Sequence, residues 1–231
     1  TGNIDCSDSV NWNGGNGFVP IGKNSSEFTG TYDGQNFSIS DLVINKNGSG
    51  NTGLFASTNG ATIKRIHLDG GTLYSSSSGY NASLVALPTD TVFSDCSSTM
   101  AFASNAQAGL LGFMNGGSMT RCWYSGNIDN DEDSYTAGLV AWSSGGVFTD
   151  VYTQGTLNGE TYSGALIGGF DGGSLTNAYS SMNVTSAAVT YSGGLTGFMS
   201  DEGVGAGNPN LSVTNVFFAG TFTETASSAG A

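Results

Sequence analysis

The sequence predicts an all-β fold, a right-handed parallel β-helix (β-solenoid) of about seven coils, each roughly 26–30 residues long. Three observations predict it: a leucine-led apolar step recurs along the chain, a second apolar position follows at a constant interval, and glycines and asparagines separate the short apolar runs. A repeat of this length is typical of solenoids, because one repeat alone is too short to bury its apolar face. A β-propeller blade, at about 40 residues, is longer.

Two positions define the repeat. The leading leucine recurs once in each repeat, as Leu54, Leu84, Leu110, Leu139, Leu166 and Leu195. A second position, which we call the anchor, is occupied by Ile66, Cys96, Cys122, Val151, Ala178 and Val216. The anchor follows its leucine at the same distance in the first five repeats and at a longer distance in the last. Because this distance is constant while the loops vary, we expect one coil per repeat, with equivalent positions stacked on one another.

The residues around the anchor alternate with a period of two, which predicts strands with one buried face. Apolar side chains return three residues before the anchor, at Ile63, Phe93, Met119, Phe148, Leu175 and Val213. The position six residues after the anchor holds Thr72, Phe102, Ile128, Leu157, Val184 and Phe222. Paired glycines at 116–117, 145–146 and 172–173 predict tight corners with positive φ. Equivalent strands of successive coils should pair in parallel and in register.

The two ends of the chain depart from the repeat. Residues 1–36 form an atypical first rung that we expect to cap the stack, as terminal solenoid repeats do. Residues 37–222 form the solenoid, with an insertion near 201–210, and residues 223–231 are a tail of small residues. Unless the insertion folds over it, the last coil leaves an open strand edge, and such an edge can template further pairing.

Composition restricts the partners. The formal net charge is −13, and the basic residues are Lys23, Lys46, Lys64, Arg65 and Arg121. Nucleic acids and anionic membranes are therefore not expected as partners, since both require clustered Lys and Arg. No apolar run is long enough to cross a bilayer, so membrane insertion is not expected. An acidic, Lys-poor surface rich in Ser, Thr and Asn favours a place outside the cell or on its surface.

Several segments resemble the GLUG-repeat family. They are FVPIG, FTGTYDGQNFSISDLVI, TGLFA, GLLGFMNGGSMTRCWYSGNI and SGALIGGFDGGSLTNAYSSMNV, and the resemblance covers about residues 12–222. The family occurs in bacterial surface and secreted proteins, including adhesins. The resemblance implies an exported β-solenoid and no catalytic residues at these positions. The chain departs from the family pattern at Leu84-Val-Ala and in its long last repeat.

The sequence offers little for catalysis, and we expect no enzyme. A His-Glu-x-x-His zinc site is excluded because His67 is the sole histidine, and we expect it to lie on the surface, one residue after the anchor. A polysaccharide lyase would need a basic residue near carboxylates. Basic and acidic residues do fall just before the anchors, at Lys64, Arg65, Asp95, Arg121 and Asp150. We expect these to be alternating charges of one ladder rather than an active site.

Aromatic residues follow the anchor on four successive repeats. They are Trp123, Tyr152, Tyr179 and Phe217. If this position faces outward, the rings form a stripe that suits sugars or a protein surface. The alternatives are that a loop covers the rings or that a corner turns them inward. A second column, made of Tyr80, Tyr135, Tyr162 and Tyr191, precedes each leucine by four residues and is expected to pack at a corner.

An acidic run and two cysteines complete the candidate sites. Asp129, Asp131, Glu132 and Asp133 supply hard oxygen ligands that suit Ca²⁺, and a solvated loop is the alternative. No other cofactor is expected. Cys96 and Cys122 occupy the anchor of adjacent repeats, close enough for a disulfide or for two small buried side chains in one column. Cys6 has no predicted partner.

The function predicted from these features is structural and adhesive. The chain would be an extracellular β-solenoid, acting as a stalk, an adhesin segment or a filament subunit that assembles head to tail. Its partners would be itself, or a glycan or protein of a host or cell surface. The alternative is a carbohydrate-binding or polysaccharide-active β-helix that uses the aromatic stripe.

Overall fold

A computed structural model of the protein describes residues 2–23, 25–46, 50–75, 79–102, 107–130, 135–186, 191–201 and 210–225. About 58% of the described residues lie in strands or isolated bridges. All pairings between the strands are parallel, and antiparallel contacts in the described residues are confined to isolated bridges near the N-terminus. The coils stack into a parallel β-solenoid, so the predicted fold class is confirmed.

The first half of the chain contains β1 (Ile4–Asp5), the 3₁₀ helix η1 (Ser7–Gly15), β2 (Thr31–Asp33), β3 (Ser38–Ser40), β4 (Val43–Lys46), β5 (Phe55–Asn59), β6 (Thr62–Lys64), β7 (His67–Asp69), β8 (Thr72–Ser75), β9 (Val85–Thr89), β10 (Val92–Ser94), β11 (Ser97–Ser98) and β12 (Ala101–Phe102). The second half contains β13 (Leu111–Asn115), β14 (Ser118–Thr120), β15 (Trp123–Asp129), β16 (Thr136–Ala137), β17 (Val140–Ser144), β18 (Val147–Thr149), β19 (Tyr152–Gly159), β20 (Ser163–Gly164), β21 (Ile167–Asp171), β22 (Ser174–Ser180), β23 (Asn183–Ser186), β24 (Thr196–Ser200), β25 (Ser212–Phe218) and β26 (Phe222–Glu224).

One face of the stack, which we call the leucine face, follows the leading leucines. It is a six-stranded sheet in the order β24-β21-β17-β13-β9-β5. The leucines before these strands hydrogen bond from coil to coil, with Leu110 N–H donating to Leu139 O at 3.1 Å and Leu139 N–H to Leu166 O at 3.0 Å. The side chains of Leu84, Leu110, Leu139 and Leu166 are fully buried, while that of Leu195 in the last coil is half-buried. The stacking of equivalent leucines is therefore confirmed.

The second sheet, which we call the long sheet, has 15 strands and carries the anchors. Its strands turn at the residue just before each anchor, which adopts a left-handed conformation with φ between 52° and 57° at Arg65, Asp95, Arg121, Asp150, Asn177 and Asn215. This corner directs the anchor into the core, where the first five anchors are buried. Asp and Asn tolerate the left-handed region better than most residues. A smaller third face pairs β4, β8 and β12.

Three details differ from the sequence-based expectation. The six strands of the leucine face span about five turns rather than seven, because the first coil touches this face only through the isolated bridges Ile21–Phe55 and Phe28–Thr58. Leu73, not Thr72, stacks on Phe102, since the coil carries an extra residue at its Gly70-Gly71 corner. Positive φ is found at Gly145 but not at its neighbour Gly146.

Candidate functional site

The aromatic stripe predicted after the anchors is present on the outside of the long sheet. Trp123, Tyr152, Tyr179 and Phe217 are in register on successive coils, and we call them the outer ladder. The ring centroids of Trp123 and Tyr152 lie 5.5 Å apart with 10° between the planes, and those of Tyr152 and Tyr179 lie 6.0 Å apart with 28°. The first two rings are half-buried, Tyr179 is 39% exposed and Phe217 is 63% exposed. The outer ladder therefore faces outward.

The chemistry of the outer ladder is apolar with hydroxyl groups added. Burial raises the pKa of Tyr152, and the neighbouring Tyr179 raises it further, so the phenol stays neutral at neutral pH. Short polar side chains lie two positions further along the strands, where Gln154 Nε2 donates to Ser125 Oγ at 2.8 Å. Exposed rings next to hydrogen-bonding groups suit the mixed surface of a sugar or of another protein.

Towards the N-terminus the same column continues with a histidine and a serine. His67 Nδ1 and Ser97 Oγ lie 2.8 Å apart. A nucleophilic serine needs a reachable hydroxyl and a base that a third group orients. Ser97 is 3% exposed, and no carboxylate hydrogen bonds to His67 in the part of the chain that the structure describes. The geometry of this pair is that of a structural contact within a ladder.

A second aromatic surface covers the outside of the leucine face and the corner before it. Three rings stack along the face, with centroid distances of 6.4 Å for Phe113 and Trp142 and 6.1 Å for Trp142 and Phe198. The tyrosines predicted to pack at the corner lie against them: Tyr80, Tyr135, Tyr162 and Tyr191. We call these seven residues the corner cluster. Since most of its rings are half-buried, it also presents an aromatic surface.

Sequence reasoning found the four tyrosines of the corner cluster but missed its other three rings. Those rings occupy the third position after the leading leucine, where Gly169 stands between Trp142 and Phe198. The Trp142 indole leans over this glycine, since a Cβ at Gly169 would lie 2.0 Å from its ring. The register of the repeat could have predicted this column of three rings, but Gly169 interrupts the aromatic pattern in the sequence.

The charged residues before the anchors form a ladder of pairs, which confirms the expected charge alternation. Arg121 donates from Nε to Asp95 Oδ1 at 2.6 Å and from Nη2 to Asp95 Oδ2 at 2.8 Å. Arg65 donates from Nε to Asp33 Oδ1 at 2.8 Å. The carboxylates raise the pKa of both arginines, so neither guanidinium suits the role of a base. Lys64 lies 3.5 Å from Asp33 Oδ2.

The ladder changes character towards the C-terminus, where amides replace the arginines. Asn177 Nδ2 donates to Asp150 Oδ1 at 3.0 Å, and Asn215 Nδ2 donates to Asn177 Oδ1 at 3.1 Å. We call the whole series the polar column. It consists of Asp33, Arg65, Asp95, Arg121, Asp150, Asn177 and Asn215.

Most of the predicted calcium ligands lie outside the residues that the structure describes. Asp129 is the exposed last residue of β15, while Asp131, Glu132 and Asp133 lie outside the described residues. The following Asn130 is buried and donates from Nδ2 to Thr136 Oγ1 at 2.9 Å. Within the described ranges no group of three or more His, Cys, Asp or Glu side chains is placed to hold a metal ion. Calcium binding by the acidic run stays a prediction.

The three cysteines are buried free thiols, so the structure has the stacked pair that sequence reasoning allowed, without a disulfide. Cys96 N–H donates to Cys122 Sγ at 3.3 Å. Both side chains leave equivalent positions of directly stacked coils, and each thiol also approaches a carbonyl of its own coil, Ser94 O and Thr120 O, at 3.3 Å. Burial raises the pKa of Cys122 well above its usual range, which disfavours the reactive thiolate.

The C-terminal end of the stack exposes positions that are buried elsewhere. Val213 shares its core column with Ile63, Phe93, Met119, Phe148 and Leu175. Those five side chains are at most 1% exposed, whereas Val213 is 40% exposed. On the leucine face Met199 is 49% exposed and stacks on the fully buried Phe170. On β26, Phe222 is 39% exposed. The described residues therefore leave the core open at this end.

The N-terminal end is covered on two of its faces. Gly17 forms an antiparallel bridge with Ile44 on the third face, and Phe18 N–H donates to Val43 O at 2.8 Å. Ile21 and Phe28 lie half-buried against the leucine face. The long sheet ends in the short strands β1 and β2, and Ile4 in β1 is 49% exposed.

Comparisons with known proteins extend over a small part of the chain. No family model matches it, and no solved structure matches it. A stretch of 58 residues, 24% of the chain, is 45% identical to Halomucin from Haloquadratum walsbyi. The chain spans about 1% of the length of that protein. In the described part of the chain, no helix has the length and apolar character needed to span a membrane.

Proposed function

We propose that the chain is a non-catalytic structural and adhesive segment of an extracellular β-solenoid, which extends head to tail through the ends of its long sheet. The observation that carries the proposal is the exposure of Val213, in a column whose five members from Ile63 to Leu175 are buried. A further coil on β25 would bury this side chain and would continue the parallel pairing of the long sheet.

The further coil would come from a second copy of the chain, which offers a matching edge for this contact. Its β1 and β2 end the same sheet at the opposite end, run in the same direction in the stack, and expose Ile4. A head-to-tail contact of this kind does not close, so it produces a filament. The contact would cover the open core of the C-terminal end with the strands β1 and β2 of the next copy, which removes apolar surface from water.

The place outside the cell is supported by composition and by the short similarity. A net charge of −13 with five basic residues suits a surface that stays hydrated and repels anionic partners. The stretch similar to Halomucin is compatible with a surface protein. The polar column supports the absence of catalysis, because its arginines are held by carboxylates.

Sedimentation velocity over a range of protein concentrations tests the assembly. We expect the average mass of the wild-type chain to grow with concentration, and Val213→Glu to remove that growth by placing a charge in the contact. Val147→Glu is the matched control, since Val147 is also 40% exposed but lies on the outside of a central coil. A wild-type chain that stays monomeric at millimolar concentration, or equal behaviour of the two variants, would contradict the proposal.

A second candidate function is carbohydrate binding by the outer ladder. The outward orientation and parallel stacking of Trp123 and Tyr152 favour it. A glycan array should show binding that Trp123→Ala and Tyr152→Ala each weaken, since stacked rings provide the contact area. Tyr74→Ala is the control, because Tyr74 is an exposed ring outside the ladder. Binding that both ladder variants leave unchanged would remove this candidate.

A further inference from the structure

An open cavity of about 840 Å³ lies at the N-terminal end, where the chain crosses from the third face to the leucine face. Phe18 N–H is held by Val43 O at 2.8 Å, and Ile21 N–H by Leu54 O at 2.9 Å. Val19 and Pro20 bridge the two attachments and line the cavity with Phe18. The volume lies in the range of small-molecule sites, about 300–1,000 Å³.

The charge of the cavity is opposite to that of the chain. Lys23 and Lys46 line it, and no Asp or Glu is among the described residues that do. Two of the five basic residues of a chain with net charge −13 are therefore gathered here. Lys46 Nζ donates to Asn51 O at 3.1 Å, which uses one of its three protons. Burial lowers the pKa of Lys46, so an anion beside it would relieve the cost of its burial.

We propose that this cavity binds an acidic sugar, a pyranose that carries a carboxylate, as in a uronic acid. The carboxylate pairs with Lys46 and Lys23, and a C–H face of the ring packs on Phe18 and Val19. The cations and the apolar wall of the cavity then each have a chemical counterpart in the ligand. A neutral sugar would bring no charge to pair with the lysines.

The cavity shares no lining residue with the strands of the proposed assembly. It lies where the chain crosses from the third face to the leucine face, whereas the contact uses β25 of one copy and β1 and β2 of the next, on the long sheet. It also differs from the outer ladder, whose rings lie on the long sheet of later coils. Val213→Glu should therefore leave sugar binding unchanged, and a failure of one proposal can be told from a failure of the other.

Isothermal titration with sodium glucuronate and with glucose tests the proposal. The two sugars share the ring and differ in the carboxylate, and we expect glucuronate to bind at least ten-fold more tightly. Lys46→Met keeps most of the methylene chain and should weaken glucuronate binding at least ten-fold. Lys64→Met is the matched control, because Lys64 lies beside Asp33 away from the cavity, and it should bind like the wild type.

Two further variants keep the result interpretable. Lys23 is exposed, so Lys23→Gln should weaken binding several-fold without affecting the fold. Gly50→Ala adds a Cβ at 2.9 Å from Lys46 Nζ at a position with φ of +115°, so it should weaken binding through backbone strain as well as by displacing the ammonium group. Equal affinity for the two sugars, binding unchanged by Lys46→Met and Lys23→Gln, or tighter binding of a tetra-aspartate peptide than of glucuronate would overturn the proposal.

Discussion

The two ends of the coil stack terminate the same repeat in different ways. At the N-terminal end, Gly17 and Ile44 pair antiparallel and close the third face, and only strands of two and three residues remain at the edge of the long sheet. At the C-terminal end, β25 is a seven-residue strand whose described pairing is with β22 alone. A long regular edge favours further pairing more than a short one does. In the proposed head-to-tail contact, β25 therefore supplies the longer of the two edges.

The comparison also shows what a core position requires in a solenoid. Leu175 and Val213 are adjacent members of one column, yet only the first is covered on both sides. In a stack of this kind each coil contacts only its neighbours, so stability is the sum of coil and interface contributions. An apolar side chain therefore contributes fully only when a further coil lies above it.

The largest loss of stability is expected from shortening side chains of the column that contains Leu175 and Val213. One of these positions is covered on both sides, and the other is not. Leu175→Ala should lower the free energy of unfolding by about 2–5 kcal/mol, because it leaves a cavity in a packed interior. Val213→Ala should cost less than about 1 kcal/mol in the monomer, since its site is half open to solvent. Urea unfolding at concentrations where the chain is monomeric measures both values.

The control for this pair is Val147→Ala, at an outward position of a central coil. Its cost should be as small as that of Val213→Ala, which would attribute the difference to burial and not to distance from the chain end. If Val213→Ala proved as costly as Leu175→Ala in the monomer, the C-terminal core would be covered, and the contrast between the ends would be lost.

Much of the fold could be predicted because two columns of each repeat, the leucines and the anchors, independently indicate how the coils stack. The constant distance from leucine to anchor places Leu110, Leu139 and Leu166 in one stack, and the alternation after the anchor places Trp123 and Tyr152 outside. These inferences needed only local period and register. The GLUG resemblance stays a prediction, since no family model matches the chain.

The remaining features depend on contacts that do not repeat. The indole of Trp142 reaches Phe198 across Gly169, which is a matter of side-chain direction and not of spacing. The N-terminal cavity depends on the antiparallel bridge of Gly17, which has no counterpart in later coils among the described residues. The number of turns was overestimated because residues before Thr31 contribute isolated bridges instead of strands to the leucine face.

An intermediate loss of stability is expected from a substitution that opens the N-terminal end. Gly17 has φ of +74°, and a Cβ there would lie 2.3 Å from Val43 O, so Gly17→Ala should displace the bridge to the third face. Its cost should exceed that of Gly14→Ala by about 1–3 kcal/mol. Gly14 is the matched control, because its φ is +69° and nothing lies within 4 Å of its Cβ position.

Hydrogen exchange identifies the site of this loss. The amide of Asn45 donates to Asn16 O at 2.9 Å, and its exchange should accelerate in Gly17→Ala but not in Gly14→Ala. Equal exchange in the two variants would show that the bridge does not close this face, and the N-terminal end would then resemble the C-terminal one.

The smallest effect concerns the polar column, which differs between the two halves of the stack. In the N-terminal half, the hydrogen bond from Arg65 is the largest cause that lowers the pKa of Asp33, to about 2, and the hydrogen bond from Arg121 likewise lowers that of Asp95. A carboxyl with a depressed pKa in the folded state contributes stability that is present above its unfolded pKa of about 4. That contribution is lost as the pH falls from about 4 towards 2.

Because the pairs are exposed, this loss should be a small decrease in melting temperature, measured by circular dichroism between pH 5 and 2. Arg65→Gln should flatten the decrease, since Asp33 would then titrate near its unfolded value. Asn215→Ala should leave it unchanged, because Asn215 and its hydrogen-bond partner Asn177 are both amides and do not titrate. A decrease that Arg65→Gln preserves in full would mean that these pairs do not distinguish the two halves. The difference between the ends would then depend on apolar burial alone.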